Sequence, residues 1–358
     1  MDINWKLPSL NGLRAISIIL VIFHHIQIQY AVFDMPFNPL VRLLVDGQFG
    51  VNVFFVISGF LITALLLKEE YKFGRIALKQ FFIRRMLRIF PAYYFLLLVY
   101  FCISHFSYIS ISTTSWLSAI TFTKYFTKME DWYTYHTWSL SVEEHFYLIW
   151  PFVFILGLKV RKIFAFITLC IPIILRILVY NYPISWLNEL TIFIRIDAIS
   201  IGCLVALYQQ EIIESVKYHW NILLWGSISI ILLVPYANGL AKRMDIGSIF
   251  VPFGISNGLF ANVCIAVIMV CSVFGPKQTM WFRFLNSTVM NSIGILSYSL
   301  YLWQQFFIVK TSYWINQFPQ NIGLTIFAAC FSYFIVEKPF LRLKSKFAPR
   351  KSTVENSV

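Results

Sequence analysis

The sequence predicts an all-α, polytopic membrane protein: a bundle of about ten transmembrane helices plus a short interfacial or re-entrant helix. Three observations predict it. Of 358 residues, 59% are hydrophobic and 13% charged, whereas an ordinary globular chain is about 45–50% apolar and about a quarter charged. Apolar runs of bilayer length recur along the whole chain, with polar gaps too short to fold as a soluble domain. The basic residues are unevenly shared between alternate gaps, as cytoplasmic loops require.

A window of about 20 residues, the length that spans a hydrocarbon core, gives the elements in order. Spans are expected at 15–33, 49–67, 89–108, 139–158 and 163–181, then at 194–210, 220–237, 249–274, 291–310 and 321–340. The apolar piece "WLSAITFTKYF", from Trp116, is too short to cross and supplies the interfacial or re-entrant helix. No small-residue cleavage site follows the first run, so it is expected to remain a span. Residues 1–345 read as one transmembrane domain and 346–358 as a short cytoplasmic tail. All six cysteines fall inside apolar runs, without a CxxC pair, and read as buried thiols. No metal site is expected, and no internal repeat is visible.

With the N-terminus placed in the cytoplasm, 21 of the 29 Lys and Arg lie on the cytoplasmic side and six outside, with Arg176 and Arg195 inside the membrane. Both termini are therefore expected in the cytoplasm. The loop from Lys68 to Arg88 alone holds seven of these cations. The net charge of +13 accordingly reads as topology and attraction to anionic headgroups, with no nucleic-acid partner implied.

Ionisable side chains inside spans are costly and usually face a cavity or one another. In "NGLRAISIILVIFHHI", Arg14 and His25 are eleven positions apart, close to three turns and roughly 16 Å along one helix face. His24 is turned about 80° from that line, so His25 is the histidine expected to share a cleft with Arg14. The plainer reading is a snorkelling arginine and a hydrogen-bonded core histidine.

In "RRMLRIFPAYY", Arg84, Arg85 and Arg88 crowd one face at spacings of three and four. They read either as cytoplasmic anchors or as a polyanion site, since guanidinium forks match phosphate oxygens. "HTWSLSVEEHFYLIWP" sets Glu143, Glu144 and His145 just inside the outer end of the fourth span, after Trp138, with Glu143 and Tyr147 on one face. "RIDAISIG" carries Arg195 and Asp197 on opposite local faces. Each needs a partner from another span, for which Arg176 and Glu143 are candidates; a structural ion-pair network is the alternative. "SYSLYLWQQ" (Ser297 to Gln305) forms a polar, aromatic face in the ninth span, and Glu337 in "VEKP" sits at the inner end of the tenth.

Taken in order, these stretches resemble the acyltransferase-3 family of integral membrane O-acyltransferases. The resemblance is carried by "NGLRAISIILVIFHH", "FGVNVFFVISGFLIT", "RRMLRIFPAYY", "HTWSLSVEEHFYLIWP", "RIDAISIGCLVAL", "SYSLYLWQ" and "VEKP", which run almost the whole chain. It places the family's arginine–ten residues–histidine motif on Arg14 and His25 and its RxxR motif on Arg85 and Arg88. The family's tryptophan and glutamate near the fourth span fall on Trp138 and Glu143. Two features depart from the pattern. Where many relatives place a histidine soon after the tryptophan of "SYSLYLW", Gln304 and Gln305 follow Trp303 here, so any role of that histidine is lost or moved. Many relatives also append a soluble esterase-like domain, and this chain is read as the stand-alone transmembrane form.

The resemblance implies transfer of an acyl group, usually acetyl, from cytoplasmic acyl-CoA to a hydroxyl of an extracytoplasmic or lipid-linked glycan, at a bacterial inner membrane. No cofactor is expected to stay bound: acyl-CoA is the donor substrate. Membrane lipid, a glycan or lipid-linked saccharide acceptor and glycan-assembly proteins are the expected partners. His25 is then the candidate general base. Arg14 would position the donor or orient His25, and Glu143 would polarise a histidine or bind sugar hydroxyls. Arg84, Arg85 and Arg88 are candidate ligands for the CoA phosphates. Trp138, Arg195 and Asp197 are supporting residues, and Ser58 of "VISGF" is a candidate nucleophile. The competing class is a multi-span carrier or flippase for an anionic or glycan substrate. Against it stand the missing inverted repeat and the cations massed in one loop. A non-catalytic scaffold would need none of these charges.

Overall fold

The computed structural model describes residues 7–31, 46–106, 108–127, 131–181, 195–243 and 258–347, and all regular structure among them is helical. In chain order the helices are α1 (Leu10–Tyr30), α2 (Gly47–Phe73), α3 (Leu78–His105), α4 (Thr113–Ile120), α5 (Trp132–Tyr135), α6 (Thr137–Ile155) and α7 (Leu158–Asn181). There follow α8 (Ile196–Leu207), α9 (Gln209–Val216), α10 (Trp220–Arg243), α11 (Leu259–Phe274), α12 (Met280–Leu285), α13 (Thr288–Phe307), α14 (Gln320–Phe331) and α15 (Lys338–Ser345). A π-helical turn, Ser332–Glu337, joins the last two.

Each of the ten expected runs carries helix. Among the described residues, however, only α1, α2, α3 and the continuous Gln320–Ser345 stretch are long and apolar enough to cross a membrane unaided. The bent pair α8–α9, at 82°, makes a fifth if counted as one span. The shortfall from ten has identifiable causes. Helices α6 and α13 have 19 and 20 residues but carry the polar faces that make the site, which lowers their hydropathy. At the ends of α7 and α10, the side chains of 179–181 and 234–243 lie outside the described residues. The first half of the 249–274 run lies outside the described residues, and α11 has 16 residues. The piece from Trp116 forms α4 and then a 3-10 turn, Lys124–Phe126, too short to cross.

The burial pattern is inverted relative to a water-soluble bundle. Leu98, Phe101, Leu148, Phe152, Phe166 and Ile174 are exposed, while Lys124, Asp197, Asn262, Gln304 and Gln305 are fully buried. Apolar faces turned outward and polar groups turned inward are what a hydrocarbon solvent selects.

Helix α2 lies at the centre. Gly59 meets α8 so closely that a Cβ there would sit 1.9 Å from the Ile199 carbonyl oxygen, and one on Gly202 would sit 2.1 Å from the Val56 oxygen. Two glycines facing each other's backbones let helices dock where lipid gives no hydrophobic drive. Buried polar bonds add to this packing. The Arg161 guanidinium grips Glu70 with two bonds of 2.6 and 2.7 Å, tying α7 to the end of α2. The Trp150 indole donates to the Thr63 hydroxyl at 3.0 Å, tying α6 to α2.

The six cysteines are free thiols: Cys203, Cys264 and Cys271 are buried as expected, whereas Cys102 is exposed on α3. Among the charges used to orient the chain, Lys6, Arg42, Lys128, Arg350 and Lys351 lie outside the described residues, as does most of the expected tail 346–358. The side chains of Lys242 and Arg243 do too.

Candidate active site

Two cavities open at opposite ends of α2. The first, about 500 Å³, lies where the C-terminal end of α2 meets the start of α3, and its lining includes Arg14, Lys68, Lys72, Arg84, Arg85, Arg88 and Lys344. The helical start of α3 explains the cluster, since spacings of three and four bring its arginines onto one face. Arg85 is the hub: its guanidinium lies 3.4 Å over the Tyr147 ring centroid, 3.5 Å from Glu144 and 3.8 Å from Glu143. The Ser58 hydroxyl donates to Glu143 at 2.7 Å, so the candidate nucleophile and the candidate carboxylate are hydrogen-bonded partners. Arg84 lines the cavity but is already engaged, donating to Glu69 at 2.7 Å and to the Phe347 carbonyl at 3.0 Å. Glu69 also accepts the Ala77 amide at 2.7 Å, so Arg84 shapes the mouth of the cavity through the α2–α3 turn.

The second cavity, about 420 Å³, gathers His24 and His25 from α1, Gly47 and Gln48 from the start of α2, and Asp131, Trp132, Tyr135, His136 and Trp138. His25 is 6% exposed, with Nδ1 2.9 Å from the Gln304 side-chain oxygen and Nε2 3.4 Å from the Gln305 amide nitrogen. The Trp132 ring meets it edge-on with centroids 5.4 Å apart. His24 is turned towards α2, where a Cβ on Gly47 would come within 2.5 Å of its ring. Arg195 reaches the Gln48 side chain and lies 4.9 Å over the Trp138 ring centroid.

Val51 and Tyr301 line both cavities. The Tyr301 hydroxyl is held on two sides, donating to the His136 carbonyl at 2.8 Å and contacting the Ser139 hydroxyl at 2.5 Å.

Several sequence expectations are revised. Arg14 and His25, expected in one cleft, line separate cavities, although they lie only roughly 16 Å apart along one face of α1. Trp138 and Glu143 are divided in the same way: five residues along α6 carry the chain from the histidine cavity into the cationic one. Asp197 takes Arg176 as its partner at 2.8 Å and accepts from Asn262 at 3.0 Å, within the packing of α7, α8 and α11 and in neither cavity. Arg195, by contrast, reaches Gln48 and the Trp138 ring.

Sequence reasoning missed His136, which the fold brings onto the Gln305 side chain. A histidine just ahead of a span that begins with polar residues was the available signal. Among the described residues, no group of His, Cys, Asp and Glu is placed to hold a metal ion.

A cationic hollow back to back with a histidine-lined one, inside a helical membrane protein, is the kind of centre in which an anionic substrate meets an acid–base group. Sequence comparison gives the family. The acyltransferase-domain family matches residues 7–336, and the chain belongs to it, the acyltransferase-3 family. It is similar to O-acetyltransferase OatA of Staphylococcus aureus strain MRSA252, 28% identical over 386 residues that cover 97% of this chain and 60% of the relative. It is also similar to a putative O-acetyltransferase of Staphylococcus aureus strain COL, 29% identical over 373 residues, 93% of this chain and 57% of that one. The chain thus spans about 60% of the length of the relatives it matches. No solved structure matches it.

Proposed function

We propose that the protein is a membrane O-acetyltransferase, moving acetyl from acetyl-CoA to a hydroxyl of a cell-surface or lipid-linked glycan. The observation that carries the reading is the juxtaposition of the two cavities across Val51 and Tyr301. CoA bears several phosphate charges, and the cavity ringed by Lys68, Lys72, Arg88 and Lys344 is complementary to them. The histidine cavity offers a proton acceptor beside room for a sugar, with Trp132, Tyr135 and Trp138 as stacking surfaces. Glycan-assembly proteins are the natural suppliers of such an acceptor. The similarity to O-acetyltransferases supports acetyl as the group transferred.

Transfer then runs as follows. The acceptor hydroxyl gives its proton to neutral His25 as its oxygen bonds to the thioester carbonyl carbon. Collapse of the tetrahedral intermediate breaks the carbon–sulfur bond, and the CoA thiolate takes the proton back from the imidazolium. Arg14 and Arg88 hold the donor, while Arg85 holds Glu143 and Glu144 in place.

The test is purified protein in lipid nanodiscs, given acetyl-CoA and a panel of glycan acceptors. Thiol release together with an acetylated acceptor is expected. A carrier would move its cargo and leave the thioester intact, which would overturn the reading.

A further inference from the structure

The pair Gln304–Gln305 stands where many relatives of the family carry histidine, and the function above gives it no role. Its hydrogen bonds assign one. The backbone N–H of His136 can only donate, and it donates to the Gln305 side-chain oxygen at 3.1 Å; His136 Nδ1 contacts that same oxygen. With the oxygen fixed at this end, the other end of the Gln305 amide is NH2, and it is this NH2 that lies 3.4 Å from His25 Nε2. An amide NH2 has only protons to offer, so His25 Nε2 is the acceptor and carries none. The single proton of the neutral ring is therefore on Nδ1, where it is donated to the Gln304 oxygen at 2.9 Å.

Gln304 alone would not decide this, since its own NH2 finds no partner among the described residues and the amide could turn over. The anchored Gln305 decides it. Both glutamines are fully buried and His25 nearly so, which keeps water from rearranging the chain of donors.

We infer that Gln304 and Gln305 are positioning residues that hold His25 as its Nδ1–H tautomer and leave Nε2 as the nitrogen that accepts a proton. The inference deepens the proposed function and rests on it for the use made of that nitrogen, not for the tautomer itself. Which ring nitrogen bears the proton is set by the bonds at both. The contact at Nε2 is long, near the limit of a hydrogen bond, so an acceptor hydroxyl can replace it at little cost. The groups around the ring are His24 on its own helix, Asp131, Tyr135, His136 and Tyr301 across the cavity, and Arg195 behind Trp138.

The test reads the tautomer directly. Full-length protein carrying 15N-histidine is placed in nanodiscs near neutral pH, and the ring nitrogens are recorded by solid-state NMR. Six histidines contribute, and His25 is the set of signals missing from His25→Gln. The expected result is a protonated Nδ1 and a bare Nε2, lost in Gln305→Leu and retained in Gln304→Glu, which still offers Nδ1 an oxygen. Wild type with its proton on Nε2, or Gln305→Leu with the tautomer unchanged, would overturn the inference. Activity supplies a second arm: Gln305→Leu should lower kcat by on the order of 10–100-fold with the acetyl-CoA KM little changed. The expected tautomer in a protein that transfers no acetyl would uphold the inference and sink the proposed function instead.

Discussion

His24 and His25 are neighbours in sequence, share one cavity and differ in what they touch. His25 sits between two amides, whereas His24 packs against the α2 backbone at Gly47. His25→Gln should therefore reduce acetyl transfer by about 10²–10⁴-fold in protein that still folds, while His24→Ala should keep most of it. Measured per folded molecule, an active His25→Gln would remove His25 from the chemistry. Much of this site is legible in the sequence, because Arg14, Arg85, Arg88, Glu143 and His25 announce themselves as charges in apolar runs. Their grouping is not. Nothing in the spacing along α1 says that a wall of Val51 and Tyr301, from two other helices, divides Arg14 from His25. A different residue pair governs stability. Lys124 is completely buried and bonded to Asp131 at 2.7 Å. Burial pushes the Asp131 carboxyl up, but bonds from Lys124, Ser115 and Thr134 outweigh it and hold the group below its ordinary value. A depressed carboxylate lends stability that is present above its unfolded pKa, about 3.9, and is lost as pH falls through the folded one. Asp131→Asn, which strands the Lys124 charge, should cost about 3–5 kcal/mol at neutral pH, read as a lower melting temperature in detergent. The difference from wild type should shrink in strong acid.

At the scale of elements, the α2–α8 contact depends on two glycines. Gly202→Val would drive carbon atoms into the Val56 carbonyl, from which a single Cβ would stand only 2.1 Å. Overpacking of this kind costs about 1–3 kcal/mol and sometimes more, so the monodisperse fraction on gel filtration should fall sharply. Gly226→Ala, at a glycine with nothing within 4 Å of the added carbon, is the matched control. Helix positions are largely legible from apolar periodicity, but helix integrity is not. The run 194–210 reads as one span, yet the chain bends by 82° between α8 and α9 at Tyr208. The cause is compositional: beyond Leu207 come Gln209, Gln210 and Glu211, whose side chains leave an apolar path for a wetter one. Likewise α6 and α13 look marginal by hydropathy because their polar faces turn onto the cavities, and a window average cannot see which way a face turns.

For the whole molecule, the imbalance of Lys and Arg predicts an orientation with both termini in the cytoplasm. A reporter fused to either terminus should be active only as a cytoplasmic fusion, and one inserted between α1 and α2 only outside. A C-terminal fusion active outside would reverse the assignment and, with it, the side from which the cationic cavity is filled. The same orientation would put the mouth formed by Lys68, Lys72 and Lys344 on the cytoplasmic face.

The wall shared by the two cavities also has an electrical consequence. A bilayer drops its potential over about 30 Å of hydrocarbon, and two hollows that meet at Val51 and Tyr301 would, once filled with water, concentrate that drop at the seam between them. Each elementary charge moved through the full potential changes energy by about 2.3 kcal/mol per 100 mV. A proton handed to His25 and returned across that seam moves within the steepest part of the field. If the proposed transfer is right, turnover in energised vesicles should therefore respond to voltage, falling or rising as the membrane discharges.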